Sequence, residues 1–269
     1  MRLNDLRAQA AGSKLRTGVE LFMRICFFSD IHANREAFDA CFAHAVRQNI
    51  DRFVFLGDLV GYGADPVYIV DRVAELQEEG AGVILGNHDL AAASGNAQGM
   101  NEYATAAIAW THAALDKPSR EFLAGLDMQI EEEDRLYVHS EAAAPRQWRY
   151  VGDSESAERS LRATRQRLTF CGHIHIPQLF HMTATKPAKF FAPHAGAPIP
   201  LVGQRQWLAV LGSVGQPRDK NPSAAYGVLD TTKNEFTFLR VPYDVEEAAR
   251  KIHEAGLPQI LAARLFIGR

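Results

Sequence analysis

Short apolar runs that stop abruptly at polar residues punctuate this chain. Residues 25–28, 53–56, 83–85 and 168–171 are each too short for a buried helix and bounded by turn residues, so each predicts a buried strand. Between the first three lie periodic apolar positions. Ala37, Phe38, Cys41, Phe42 and Ala45 line one face behind Asn34, a good N-cap, and Pro66 opens a second helix that reaches about residue 79. Strand and helix alternating in this way predict a parallel sheet with its functional groups at the carboxyl ends of the strands. Residues 90–103 are small and polar and read as a loop, 104–115 and a short piece around Phe122 as helices. An antiparallel pair is predicted at 128–132 and 136–138, and a charged helix over 153–166. In the last third, 178–182, 207–211, 225–229 and 236–241 are strand-like, and 183–206 is a proline-containing loop or irregular hairpin. Helices at 245–255 and 258–265 close the chain.

Composition narrows the class. At 269 residues and 47% hydrophobic content the chain can bury a large core, and we read residues 23–269 as one unit. The balance of 29 Lys+Arg against 32 Asp+Glu, with no long like-charge run, gives no electrostatic footprint for nucleic acid as a stable partner. No apolar stretch is long enough to span a membrane. Cys26, Cys41 and Cys171 lack paired spacing and read as buried small hydrophobes in a reducing compartment, hence a cytoplasmic protein. Residues 1–22 break the pattern: scattered basic residues without an apolar block exclude a secretory signal. They are expected to precede a native start at Met23, to form a loosely held arm, or to form an extra helix over 3–10.

The polar residues at the strand ends carry the chemistry. Asp30 and His32 follow the first strand, Asp58 the second, Asn87 with His88 and Asp89 the third, His139 the strand at 136–138, and His173 with His175 the strand at 168–171. Five of the ten histidines fall at these points. Two apart in an extended segment, Asp30 and His32 would point to one side. Carboxylate, imidazole and carboxamide donors without thiolate suit Mn, Fe or Zn. Seven such ligands are too many for one tetrahedral ion and suit two ions about 3.5–4 Å apart that share a bridging carboxylate, for which Asp58 is the best candidate. Two divalent cations against two carboxylates leave a positive excess that draws an anionic ester. In an extended segment His88 would point away from Asn87, free to act as a general acid.

The set Asp30-x-His32, Gly57-Asp58, Gly86-Asn87-His88-Asp89, His139 and Gly172-His173-x-His175 resembles the calcineurin-like metallophosphoesterase family. The runs Gly57-Asp58-Leu59-Val60-Gly61-Tyr62-Gly63 and Gly212-Ser213-Val214-Gly215-Gln216-Pro217-Arg218-Asp219 resemble its small bacterial and archaeal branch. The resemblance spans about residues 23–240. It implies a four-layer αββα sandwich of two mixed sheets flanked by helices. It also implies two divalent ions, Mn(II) first with Fe, Zn or Ni as alternatives, and attack of a metal-bridging hydroxide on a phosphodiester or phosphomonoester. One ion would take Asp30, His32, Asp58 and His175, the other Asp58, Asn87, His139 and His173. His88 would bind the phosphate or protonate the leaving oxygen.

Departures bear on the substrate. Where phosphoprotein and dinucleoside-tetraphosphate phosphatases of this superfamily carry an Asp that orients the histidine and then a phosphate-gripping Arg, this chain has Gly61 and Tyr62. Asp89 either orients His88 instead or fixes its loop. Arg218 either contacts the substrate phosphate or pairs with an acidic neighbour, and Tyr62 either lines the pocket or packs under its loop. The partner expected is a small phosphate ester, with homo-oligomerisation left open. Two other readings remain: a phosphoprotein or nucleotide phosphatase, and a catalytically silent scaffold of the same fold.

Overall fold

The computed structural model describes residues 23–269. The extension expected at residues 1–22 lies outside the described residues.

The described residues begin as the pattern predicts, three strands alternating with two helices: β1 (Arg24–Phe28), α1 (Arg35–Val46), β2 (Arg52–Phe55), α2 (Pro66–Glu78) and the short β3 (Gly82–Val83). β1 pairs in parallel with β2, and β2 with β3. Then come α3 (Asn87–Ser94), α4 (Glu102–Ala114), α5 (Lys117–Ala124), the hairpin β4 (Gln129–Glu132) and β5 (Arg135–Val138), α6 (Ser154–Arg162) and β6 (Leu168–Cys171). β7 (Gln178–Thr183), β8 (Lys186–Phe191), β9 (Ile199–Pro200), β10 (Gln206–Val210), β11 (Ala224–Asp230) and β12 (Glu235–Val241) follow, with α7 (Val245–Glu254) and α8 (Gln259–Ile267) last.

These strands form two six-stranded mixed sheets, ordered β3-β2-β1-β11-β12-β9 and β4-β5-β6-β10-β7-β8. Strand alternation explains the layering. Ile25 and Phe27 face the other sheet, where Phe27 stacks on Phe170 at 4.2 Å between ring centroids. Their neighbours Cys26 and Phe28 face the opposite way, into a cluster with Phe38 and Cys41 of α1 and Ile69 and Val73 of α2. On the far side of the second sheet, Val138, Phe180 and Leu208 pack against Ala157 and Leu161 of α6. Helix, sheet, sheet, helix is thus the layer order, the αββα sandwich expected.

Two local expectations are corrected and one is narrowed. Residues 90–103 are not all loop, because Ala91, Ala92 and Ala93 favour helix strongly enough to extend α3 until Gly95 ends it with φ 72°. Of the two readings of residues 183–206 the irregular hairpin holds, since β8 pairs with β7 across a register shift, and the stretch adds β9 beside β12. The charged helix stops at Arg162 rather than near residue 166.

Candidate metal centre

In each sheet the parallel strands point their carboxyl ends to a common rim, and the loops there are stitched together by main-chain bonds. The amides of Asp30, His32 and Ala33 donate to the carbonyls of Gly57, Asp58 and Leu59 at 3.1, 2.9 and 2.9 Å. Gly172 N–H donates to His139 O, and Gly215 N–H to Asp30 O. These bonds fix backbones that L-residues seldom adopt: Asp30, His32, Asp58, Tyr62, His173 and His175 have φ between 50° and 71°. Each such conformation costs on the order of 1–3 kcal/mol and persists where the surroundings over-determine it. The extended geometry expected for Asp30 and His32 is therefore replaced by a left-handed turn. Asn87, His88 and Asp89 likewise lie in the first turn of α3, behind Gly86, and not in an extended segment.

The turns bring the strand-end residues into two buried groups: Asp30, His32, Asp58 and His175, and Asp58, His139 and His173, each with donor atoms within 4.8 Å of one another. Asp58 belongs to both. Its Oδ2 lies 3.3 Å from His139 Nε2 and 3.8 Å from His32 Nε2, and Asp30 Oδ1 lies 3.3 Å from His175 Nε2. Hydrogen bonds hold the carboxylates from behind. Ser29 Oγ donates to Asp30 at 2.6 Å, the amide of His173 donates to both Asp30 oxygens, and the amide of His88 donates to Asp58 Oδ1 at 2.8 Å.

Each imidazole has one nitrogen engaged outside the group by a backbone carbonyl. His32 Nδ1 donates to Val60 O (3.2 Å), His139 Nδ1 to Leu56 O (2.7 Å), His175 Nδ1 to Gln216 O (2.7 Å) and His173 Nε2 to Trp148 O (2.8 Å). Because a carbonyl only accepts, the N–H of each neutral ring sits there and the lone pair of the other nitrogen faces inward. Inward nitrogens then face each other at 3.1 Å, His32 Nε2 with His175 Nε2 and His139 Nε2 with His173 Nδ1. Lone pairs aimed at lone pairs and carboxylates repel unless a positive charge, a proton on His139 or a metal ion, lies among them. A further orphan fits the same picture: Asn87 Oδ1 is buried without a hydrogen-bond partner. The donor set fits two divalent cations that share Asp58.

Ionisation follows from the same crowding. Burial would raise the pKa values of Asp30 and Asp58, but His175 beside the first and His139 beside the second hold both below the usual carboxylate range. For His139 burial is outweighed by the charge of Asp58, which brings it up to about 9. Burial, reinforced by the charge of His139, takes His173 down to about 3. Burial lowers His88 to about 4 against the pull of Asp58.

The remaining predicted residues fall around these groups. His88 packs its ring on His32 and Tyr62, centroids 4.8 and 4.5 Å away, with Nδ1 buried and without a partner. A Cβ at position 61 would lie 2.5 Å from that nitrogen, so Gly61 is what gives His88 its place. The Asp89 carboxylate accepts the amides of Leu59 (2.8 Å), Val60 (3.2 Å) and Gly86 (3.0 Å). Of its two expected roles, these are the bonds of loop fixing. Asp219 pairs with Arg240, and Arg218 instead donates to Gln216 Oε1 at 2.9 Å and lies over the Tyr62 ring, 5.8 Å from its centroid. His44 bonds Tyr226, His112 bonds the Ala92 carbonyl and His181 rests on Trp207, all outside the two groups. Sequence reading missed Trp148, whose carbonyl orients His173, and Tyr150, whose ring stacks on His173 at 4.4 Å. Backbone carbonyls leave no trace in residue identity. An aromatic pair two apart, close after His139, was the only available signal.

Comparison with known proteins agrees with this geometry. The model of the calcineurin-like phosphoesterase superfamily domain matches residues 23–234. An uncharacterized protein of Methanocaldococcus jannaschii is 32% identical over 250 residues, covering 91% of this chain and 98% of its own length. The crystal structure of a metallophosphoesterase from Sphaerobacter thermophilus is similar with TM-score 0.80 and 31% identity, over 92% of this chain and 100% of that one. A hypothetical protein of Pyrococcus horikoshii shares the fold at TM-score 0.73 and 16% identity, over 91% of this chain and 98% of its own.

Proposed function

The chain belongs to the calcineurin-like phosphoesterase superfamily, and from that premise we propose that it is a metal-dependent hydrolase of small phosphate esters, preferring diesters. One observation carries the reading: two buried donor groups meet at Asp58 with their imidazole lone pairs turned inward. Asp30, His32, Asp58 and His175 would hold one divalent ion, and Asp58, Asn87, His139 and His173 the other. Mn(II) is the first choice for this oxygen and nitrogen set, with Fe, Zn or Ni as alternatives. Such ions, when bound, supply Lewis acidity toward a phosphoryl oxygen and lower the pKa of water in the cleft.

The protein's own groups do the rest. At neutral pH His88 is a neutral imidazole, since burial lowers it to about 4, so it offers one N–H to a phosphate oxygen or to the leaving oxygen rather than an imidazolium. Arg218, held over Tyr62, is the cation placed to meet the phosphate charge. In the reaction a water oxygen joins phosphorus and the P–O ester bond breaks with its electron pair going to the alcohol oxygen. That oxygen takes up one proton and the attacking water gives one up, so that no proton is consumed overall. A phosphoprotein or nucleotide phosphatase is the second reading. It is weaker because a phosphomonoester dianion calls for the bidentate arginine that Tyr62 replaces. The three cysteines are free and buried, and among the described residues no helix is long and apolar enough to cross a membrane, in keeping with work in the cytoplasm.

Hydrolysis of bis(p-nitrophenyl) phosphate and p-nitrophenyl phosphate with added Mn(II), beside metal analysis, tests the reading. The expected result is turnover favouring the diester, with two metal equivalents per chain, both lost in Asp58→Asn. No turnover of either ester, or full turnover in Asp58→Asn, rejects it.

A further inference from the structure

A cleft of about 760 Å³ opens beside the candidate metal centre, with Tyr62, Asn87, His88 and His173 at its floor. Its wall chemistry is unusual for a site that takes phosphate. Among the described lining residues there is no Asp, Glu, Lys or Arg. Arg218 lies over the ring of Tyr62, one of the floor residues. Higher up, the wall is made of carboxamides and aromatic rings. Gln98 and Asn101 come from the segment that joins α3 to α4, and Gln147, Trp148 and Tyr150 from the loop after β5. Asn101 spends its Oδ1 capping α4, which leaves its NH₂ as a donor, while Gln98 and Gln147 present exposed amides with both donor and acceptor. Tyr150 lies nearly flat on His173, at an interplanar angle of 26°, yet is 55% exposed. Its second face is therefore open to the cleft.

This wall selects by charge. An ester bearing a second or third phosphate would lay anionic groups along lining residues that offer them no cationic side chain. A phosphodiester carries one negative charge, at the phosphorus, where the metal centre and Arg218 meet it. We infer that the cleft takes a phosphodiester whose organic arm is an uncharged nucleoside, with its base stacked on the open face of Tyr150 and its polar edge read by the amides of Gln147 and Gln98. A volume of this size fits such an arm. The inference rests on the phosphoesterase reading above and narrows it to a substrate class.

The test compares two esters with the same leaving group and the same single charge, thymidine 5′-(p-nitrophenyl phosphate) and methyl p-nitrophenyl phosphate, on the Mn(II)-loaded full chain. The thymidine ester is expected to show a kcat/KM roughly 5- to 100-fold higher, the range that stacking one base on an aromatic side chain supplies. The advantage should reside mainly in KM, collapse in Tyr150→Ala and return in Tyr150→Phe, which restores the ring face without the hydroxyl. Equal kcat/KM for the two esters, or an advantage that survives Tyr150→Ala, overturns the inference. So does faster hydrolysis of a dinucleoside tetraphosphate than of the thymidine ester. If neither ester is hydrolysed, the phosphoesterase reading fails and the cleft is judged by thymidine itself. Magnetisation transfer from protein to thymidine in NMR, lost in Tyr150→Ala, then upholds the nucleoside site, and absence of transfer overturns it.

Discussion

At His139 a proton and a metal ion compete for one nitrogen. The charge of Asp58 raises this imidazole to about 9 from its ordinary value near 6.5, so near neutral pH the metal-free protein holds a proton between the two side chains. The sign follows from that direction. The folded state binds the proton more tightly than the unfolded chain, so the stabilisation is complete below the ordinary histidine value and is lost as pH rises through 9. A cation has to displace the same proton. Mn(II) binding at pH 7 should therefore release about one proton from His139, with affinity rising up to about tenfold per pH unit toward pH 9. Calorimetry in buffers of different ionisation enthalpy reads that release directly, and binding heats independent of buffer would contradict it. His88 is different in kind, since it packs beside the ligands without belonging to either group. His88→Ala should leave the metal content intact and lower kcat by about 10²–10³-fold, the usual cost of removing one placed hydrogen-bond donor to developing charge. Metal analysis beside kinetics separates that outcome from a collapsed site. That Asp30, His32, Asp58, His139, His173 and His175 gather at one place was readable in the chain because each follows an apolar run. The carbonyls of Leu56, Val60, Trp148 and Gln216 that fix the ring tautomers were not, because every residue has a carbonyl.

The working elements here are loops, each short, each beginning where a buried strand ends. Asp89 shows how one is held. From the first turn of α3 its carboxylate reaches two amides of the loop after β2 and the amide of Gly86, tying two ligand-bearing segments together. Burial and the nearby charge of Asp58 push its pKa up to about 7, against the hydrogen bonds that favour the charged form. Asp89→Ala strips three buried amides of their acceptor. At about 1–3 kcal/mol for each buried group left unsatisfied, the variant should lose several kcal/mol in urea denaturation and bind Mn(II) weakly through Asp58 and Asn87. Wild-type stability together with wild-type metal affinity would show that the brace is dispensable. The extended geometry assumed for Asp30 and His32 failed at this scale. Period-two alternation describes a strand, and the strand stops at Phe28, one residue before the turn begins. The extent of α3 was misread for a related reason: a run of alanines between Asp89 and Ser94 looks featureless in polarity, although it is strongly helical in propensity.

Two sheets face to face assemble the candidate metal centre, because each supplies only part of the donor set. Asp30, His32, Asp58 and Asn87 follow strands of the first sheet, and His139, His173 and His175 follow strands of the second. The contact between sheets must therefore hold the two halves in register. Phe27, fully buried and stacked on Phe170 with Tyr137 at its edge, is central to that contact. Phe27→Ala should cost about 3–5 kcal/mol in unfolding free energy. Metal content per folded chain should fall as the sheets shift, a coupling that denaturation and metal analysis on the same sample detect, and a cost below about 1 kcal/mol would remove Phe27 from this role. What the sequence determined by itself was the order of strands and helices, the apolar faces that must be buried, and the ligand types waiting at the strand ends, since all three depend on local periodicity and side-chain chemistry. Only the tertiary structure decided which way each imidazole is turned, which amides the Asp89 carboxylate accepts, and that Tyr150 and side-chain amides line the cleft. Those facts depend on contacts between segments far apart in the chain, and no local pattern encodes where two such segments will meet.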